Sequence, residues 1–134
     1  KHLASNTGSN IVSKSISTRG GMTVFRGSID IAPGLHDCTA HMECDSLLLD
    51  AKSKTETIPH LKIKSNDVTV AHEATVGRLN TEDIFYLMSR GLSEEEAKGM
   101  IVNGFLDPIV RLLPLEYAVE MNRLIELEME GSVG

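Results

Sequence analysis

The chain has 134 residues, of which 41% are apolar and 24% charged, which is typical of one globular domain with a core of ordinary size. Its net charge is −6 and no run of Lys or Arg offsets it, which argues against general binding to nucleic acids or anionic membranes. No stretch approaches the roughly 20 apolar residues that span a bilayer, and the first residues are not a signal peptide, so we expect a cytoplasmic protein. Two cysteines make no disulfide framework, and both thiols are expected to be reduced.

The first part of the chain is a series of short β-prone runs divided by turns. Turn signals occur at Arg19-Gly20-Gly21, at Pro33-Gly34, at residues 50–53 and at residues 65–67. The predicted strands cover residues 11–17, 22–31, 37–42, 44–49, 57–63 and 68–72. Strands at this spacing fit a sandwich, a barrel or a β-solenoid, and the periodicity alone does not choose among them.

From residue 80 the pattern becomes helical. Asn80 or Thr81 can cap a first helix that ends at Gly91, and Ser93 with Glu96 forms a capping-box pattern for a second. Four helices are predicted, ending at residues 90, 103, 114 and 130, and the third begins at the pair Asp107-Pro108.

The last predicted helix ends in the carboxylates Glu126, Glu128 and Glu130, where the helix dipole disfavours negative charge. This acidic end is either solvated or complementary to a basic surface on a partner.

Cys44 and the stretch from Val68 to Gly77 contain the side chains best suited to iron. His72 has the strand parity of Val68 and Val70, whereas Glu73 has the opposite parity. A thiol, an imidazole and a carboxylate are all possible iron ligands. Taken singly, each has an ordinary structural role: Cys44 as a small buried residue, His72 as a buried strand histidine, and Glu73 as a surface carboxylate.

Motifs for other chemistry are absent from the sequence. It contains no phosphate-binding Gly-x-x-x-x-Gly-Lys-Ser/Thr and no Gly-x-Ser-x-Gly nucleophile motif, so we expect that the chain is not an enzyme. Cys38, six residues before Cys44, does not form a metal-finger spacing with it and is expected to be structural.

Several segments together resemble the end of a subunit of the SufB/SufD family of iron–sulfur cluster assembly scaffolds. They are Ala-His-Glu-Ala-Thr-Val-Gly-Arg-Leu at 71–79, Met-Ser-Arg-Gly-Leu-Ser-Glu-Glu-Glu-Ala at 88–97, Met-Ile-Val-Asn-Gly-Phe at 100–105 and Leu-Pro-Leu-Glu-Tyr-Ala-Val-Glu at 113–120. The likeness spans the whole chain in order, and the wording Cys-Asp-Ser-Leu-Leu at 44–48 is similar to the SufB-like branch. The resemblance therefore implies the C-terminal part of a longer, SufB-like subunit.

That resemblance implies a fold and a set of partners. Residues 1–78 would form a segment of a right-handed parallel β-helix, and residues 79–134 a small α-helical C-terminal region, so that the chain is mainly β with a helical tail. The helical tail would dock an ATP-binding-cassette ATPase of the SUF system, and the β-helix edge would pair with a paralogous or identical scaffold chain to form a dimer. A cysteine desulfurase system would supply the sulfur.

The resemblance also implies the site. Cys44 and Glu73 would be ligands in the assembly of a transient iron–sulfur cluster, or Cys44 would carry a persulfide, and His72 would be a further ligand. We expect these donors to be presented outward at an edge shared with a second chain. Ala71 departs from the family, because many SufB-like sequences have a second glutamate there.

Two other functions stay open from the sequence. One is a SufD-type subunit that binds the ATPase and its sister subunit without holding a cluster. The other is a β-solenoid enzyme acting on polysaccharides, which the low aromatic content of 4% disfavours.

Overall fold

The computed structural model describes residues 1–130, which form two compact units, Lys1–Arg78 and the unit that begins at Leu79. The first unit is built of strands in parallel sheets and the second of three helices. The prediction of a mainly-β chain with a helical tail is therefore confirmed. The side chain of Glu130 and residues 131–134 lie outside the described part of the chain.

The first unit has five strands that alternate between two sheets. Within each sheet all strands are parallel, in the orders β1-β3-β5 and β2-β4. The strands are β1 Gly8–Ser17, β2 Met22–Ile31, β3 His36–Leu48, β4 Lys54–Ile63 and β5 Asp67–Arg78. Because each strand pairs with the next but one, residues about 31 positions apart lie side by side, as Gly8 does with Thr39.

The predicted strand boundaries near residue 43 are wrong. Residues 37–42 and 44–49 were expected to be separate strands, but β3 runs without a break from His36 to Leu48. β3 is the middle strand of its sheet, and β1 and β5 pair with it on either side through Glu43. Backbone pairing on both edges keeps Glu43 in the strand, with its polar side chain turned away from the core.

The core of the first unit lies between the inner faces of the two sheets. Alternate β3 residues Cys38, Ala40, Met42 and Cys44 are buried and pack with Ile29 and Ile31 of β2. Gly27 of β2 lets the sheets approach, because a Cβ atom there would lie 2.5 Å from the Met42 Sδ atom. The alternation of buried and exposed residues in β3 is what a half-buried strand requires.

Beyond Cys44 the interior becomes polar. The Ser46 hydroxyl is buried and lies 2.8 Å from the Ser15 hydroxyl and 2.8 Å from the Thr55 hydroxyl. Ser17 makes a similar contact of 2.8 Å with Thr23. Each buried hydroxyl therefore has a hydrogen-bond partner, as the interior of a protein requires.

Asp50 connects the turn between β3 and β4 to the turn between β1 and β2. Its Oδ1 atom accepts hydrogen bonds from the backbone N–H groups of Lys52 and Ser53, each at 2.8 Å. Its Oδ2 atom accepts from the Ser53 hydroxyl at 2.7 Å and from the Gly20 N–H at 3.3 Å. These donors, the Ser53 hydroxyl foremost, hold the pKa of Asp50 well below its ordinary value.

We expect the Asp50→Asn variant to have a lower melting temperature than wild type at pH 7. A folded-state pKa below the unfolded value of ~3.9 means that the carboxylate stabilises the fold above that pH. This contribution falls as the pH drops below ~3.9, so the melting temperatures of the two proteins should converge in acid. Thermal unfolding followed by circular dichroism from pH 7 to pH 2 tests this, and a gap independent of pH would contradict it.

The second unit contains the helices α1 Thr81–Ser89, α2 Glu94–Val110 and α3 Leu115–Glu130. The predicted caps are confirmed: the Asn80 side chain accepts from the Glu82 N–H at 3.0 Å, and Ser93 and Glu96 form a capping box. None of the described helices has both the length and the apolar character needed to cross a bilayer.

The predicted end of the second helix at residues 103–104, and a separate third helix at Asp107, are wrong. α2 continues through both positions and includes Pro108. Ala97, Val102 and Val110 along this helix are buried, and Asp107 forms an ion pair of 2.6 Å with Arg111 one turn later. These interactions keep the helix continuous although proline removes one backbone hydrogen bond.

Candidate functional site

Cys44 lies on the inner face of β3, in the middle of the three-stranded sheet. Its neighbours in register are Ser13 of β1 and Ala74 of β5. The residue is only 3% exposed and belongs to the apolar core cluster. Cys44 lies at the boundary between the apolar cluster and the buried hydroxyl groups, with buried Met42 on one side and buried Ser46 on the other along the same face.

The surroundings of Cys44 favour the protonated thiol. Burial is the main cause that raises its pKa, and the carboxylates of Asp45 and Glu43 raise it further. A thiol in this state is a weak nucleophile and a weak ligand, because both roles need the thiolate.

His72 shares the inner face with Cys44. His72 of β5 pairs with Met42 of β3, and the next inward-facing pair along the two strands is Ala74 with Cys44. Strand spacing of ~4.8 Å and a rise of ~3.3 Å per residue put the Cα atoms of Cys44 and His72 about 8 Å apart. The Nε2 atom of His72 is buried, and no residue among 1–130 gives it a hydrogen bond.

Glu73 belongs to the opposite face of the same sheet. Glu73 pairs with Glu43 of β3, and in each strand the residues before and after the glutamate face inward. Glu73 is exposed, as its strand parity predicted. On this outer face the His41 Nε2 atom is 4.0 Å from the Glu43 carboxylate, so the surface around Glu73 is polar and ionisable.

One ion pair belongs to this outer face. Lys14 Nζ lies 2.7 Å from Asp45 Oδ2, and this hydrogen bond holds the pKa of Asp45 below its ordinary value. Asp45 therefore remains a carboxylate beside Cys44 at neutral pH.

The structure brings two of the three predicted site residues together. Cys44 and His72 face the same interior, whereas Glu73 faces away from it. The expectation that the Cys44 thiol is presented outward is wrong for the single chain, since the residue is buried. Within residues 1–130 no three side chains of His, Cys, Asp or Glu converge as a metal site.

The prediction did not include the hydroxyl side chains near Cys44. Ser13 lies beside Cys44, and Ser15 bonds to Ser46 one inward-facing position further along β1. The signal was present in the alternating serines at 13, 15 and 17, which place three hydroxyls on one strand face. Cys38 is also buried, with its Sγ atom 3.5 Å from the Thr7 hydroxyl.

Comparison with known proteins identifies the family. Residues 1–105 match the family model described as SUF system FeS cluster assembly, SufBD core domain. The chain is 53% identical over 133 residues to an iron–sulfur cluster assembly SufBD family protein of Mycobacterium leprae. It is 52% identical over 133 residues to the iron–sulfur cluster assembly protein SufB of Bacillus subtilis, and 50% identical to a SufBD family protein of Staphylococcus haemolyticus.

The chain therefore belongs to the SufB/SufD family of iron–sulfur cluster assembly proteins, as the sequence motifs indicated. These matches cover 99% of the chain but only 15% of the Mycobacterium protein and 29% of each of the other two. The chain thus spans less than a third of the length of these relatives.

Proposed function

We propose that the chain is the C-terminal part of a SufB-type scaffold on which iron–sulfur clusters are assembled, and that it is not itself an enzyme. Residues 1–78 would be a segment of a right-handed parallel β-helix. The support for this fold is the strictly parallel pairing of strands that alternate between two sheets at a spacing of about 31 residues, as between Gly8 and Thr39. The named SufB relative supports the SufB-like branch.

The main support for the site is that Cys44 and His72 face the same interior, where the Nε2 atom of His72 has no hydrogen-bond partner among the described residues. Thiolate and imidazole are both ligands of iron in iron–sulfur centres. In this proposal Cys44 serves as thiolate ligand or persulfide carrier, and His72 as a second ligand. A cation that reaches the thiol would oppose the effects of burial and of the neighbouring carboxylates, and would favour the thiolate.

Glu73 would act as an oxygen ligand or proton acceptor. Because it lies on the face opposite Cys44, the two side chains meet one cluster only after β5 has moved relative to β3. β5 is one of the two outer strands of its sheet and pairs with β3 on one side, so moving it breaks fewer strand pairs than moving the central strand β3. A docked ATP-binding-cassette ATPase would supply the energy for this opening in the cytoplasm.

The partners in this proposal are those that the family resemblance implies, and an exposed apolar surface supports one of them. Leu61 and Val76 have the strand parity of the inner faces of β4 and β5, yet they are 42% and 57% exposed. In our proposal a paralogous or identical scaffold chain covers these exposed apolar side chains and the neighbouring strand edges. The acidic helical tail docks the ATPase, and a cysteine desulfurase system delivers the sulfur.

Anaerobic reconstitution of the full-length protein with its partners, ferrous iron and sulfide tests the proposal. We expect the Glu73→Ala variant to lower the cluster yield by roughly tenfold, as loss of a ligand or of its close support does. Glu56→Ala is the control, because Glu56 is an exposed glutamate on β4 of the other sheet. Cluster yield is measured by visible absorbance and by iron and sulfide content.

Equal yields for wild type and Glu73→Ala would remove Glu73 from the site. A SufD-type subunit is the second candidate, and the burial of Cys44 is the observation that favours it. Its signature would be normal binding of the ATPase and the sister chain with no iron-dependent absorbance in the wild type.

A further inference from the structure

Ser13 lies directly beside Cys44 inside the first unit. The register of β1 on β3 pairs each residue with the one 31 positions later, and so pairs Ser13 with Cys44. Both side chains have the parity of the inner faces, and Ser13 is partly buried. Because neighbouring strands lie ~4.8 Å apart, a hydroxyl and a sulfur on paired residues are within reach of each other.

Other pairs at the same spacing of 31 residues show what this reach allows. The Ser15 hydroxyl lies 2.8 Å from the Ser46 hydroxyl. The Thr7 hydroxyl lies 3.5 Å from the Sγ atom of Cys38, the other buried cysteine of β3. A hydroxyl that stands beside a cysteine in this register can therefore form a hydrogen bond with its sulfur.

Ser13 has not formed the corresponding bond. Within residues 1–130 its hydroxyl makes no hydrogen bond, and neither does the Sγ atom of Cys44. The next two inward-facing residues of β1 differ from it, because Ser15 and Ser17 each contact a hydroxyl of another strand. Rotation about the Cα–Cβ bond moves a serine hydroxyl among staggered positions. The Ser13 hydroxyl can therefore turn to a sulfur atom that needs a donor.

A thiolate at Cys44 needs such a donor. The site is 3% exposed, and a buried charge is costly unless hydrogen bonds compensate for it. The neighbouring inner-face side chains of Ala74 and Met42 have no group that donates a hydrogen bond. The Ser46 hydroxyl already contacts two other hydroxyls. Ser13 is therefore the neighbour that is placed to supply the bond.

We propose that Ser13 is a positioning residue of the site, whose hydroxyl donates a hydrogen bond to the Cys44 sulfur when that sulfur ligates iron. The bond holds the sulfur in one orientation and offsets part of its negative charge. The inference rests on the proposed function, in which Cys44 is a ligand, and adds a residue of β1 to the site.

The test uses the full-length scaffold subunit with its partners, reconstituted anaerobically with ferrous iron and sulfide. Ser13→Ala removes the hydroxyl, and we expect the cluster to lose iron to a chelator about tenfold faster than in wild type. The reduction potential of the cluster should become more negative, because a hydrogen bond to a cluster sulfur stabilises the reduced form. Ser13→Thr keeps a hydroxyl at this position and should restore both values.

Thr7→Val is the matched control, because it removes the hydroxyl beside the other buried cysteine, Cys38, with little change in side-chain size. It breaks hydrogen bonds to His2 and to the Ala4 carbonyl, so the melting temperature of the cluster-free protein should fall. The cluster should keep its wild-type potential and rate of iron loss. Ser13→Ala should show the reverse, an unchanged melting temperature with an altered cluster.

The outcomes separate the inference from the proposed function. A wild-type potential and rate of iron loss in Ser13→Ala overturn the inference and leave Cys44 as a ligand. No cluster on the wild-type protein, or a normal cluster on Cys44→Ala, overturns the proposed function and the inference with it.

Two further results assign Ser13 a purely structural role. One is a lower melting temperature of Ser13→Ala with an unchanged cluster, and the other is an altered cluster that Ser13→Thr does not restore. Either result overturns the inference. If Ser13→Ala does not fold, Ser13→Val is compared with Ser13→Thr, since these variants differ in the hydroxyl alone. Equal potentials of the two overturn the inference, and a more negative potential of Ser13→Val supports it.

Discussion

Replacing Cys44 with alanine in the full-length protein is expected to abolish cluster formation while the protein remains folded. Cys44 offers the one thiol on the inner face next to the buried His72 Nε2 atom, and a nascent cluster depends on thiolate ligands. Loss of one buried sulfur atom should cost about 1 kcal/mol of stability, which leaves the fold intact. Visible absorbance and bound iron after anaerobic reconstitution measure the effect.

Cys38→Ala is the matched control for this experiment. Cys38 lies on the same strand and the same face, six residues before Cys44, and is 1% exposed. Its Sγ atom lies 3.5 Å from the Thr7 hydroxyl oxygen. It should unfold with a similar small loss of stability yet assemble a normal amount of cluster. Wild-type cluster yields in both variants would show that neither thiol is a ligand, and equal reductions in both would point to a packing effect.

A side chain at Gly27 is expected to destabilise the first unit strongly, in a way that depends on Met42. The Cβ atom of Gly27→Ala would lie 2.5 Å from Met42 Sδ and 2.7 Å from the Phe25 ring, so the two sheets would have to separate or repack. Such overpacking costs roughly 1–3 kcal/mol, and Met42→Ala should cost roughly 2–5 kcal/mol through the cavity it leaves.

The double variant tests the mechanism. Met42→Ala removes the atoms that the new Cβ would meet, so the combined loss should be smaller than the sum of the two single losses by roughly 0.5–3 kcal/mol. Urea unfolding of the four proteins gives the coupling free energy. Strict additivity would mean that Met42 does not oppose a side chain at position 27, and would contradict this mechanism.

Local signals in the sequence predicted much of this structure. The caps at Asn80 and Ser93 depend on neighbours within three residues, and both were found where the pattern placed them. The opposite parities of His72 and Glu73 follow from strand alternation alone. The two-sheet arrangement with its parallel pairing could not be derived from periodicity, and only the likeness to a known family indicated it.

The wrong predictions concern features that depend on contacts between residues far apart in the sequence. Cys44 is buried because the inner face of β3 packs against the other sheet, in a core cluster that contains Ile29 and Ile31 of β2, and no local pattern shows this contact. The continuation of α2 through Pro108 likewise depends on the burial of Val102 and Val110. The prediction for α2 was local, and tertiary packing overrode it, whereas the outward position of Cys44 was inferred from the family resemblance.

The spacing of about 31 residues between paired strands has a consequence for natural and engineered variation. Inserting one residue within β3 ahead of Cys44 would turn Cys44 to the outer surface, or else shift every later pairing with β1 and β5 by one position. The same insertion at Pro33 or Gly34, between β2 and β3, would be absorbed by an exposed turn. Changes of length in this protein should therefore be confined to its corners, and the strand that contains Cys44 should tolerate neither insertions nor deletions.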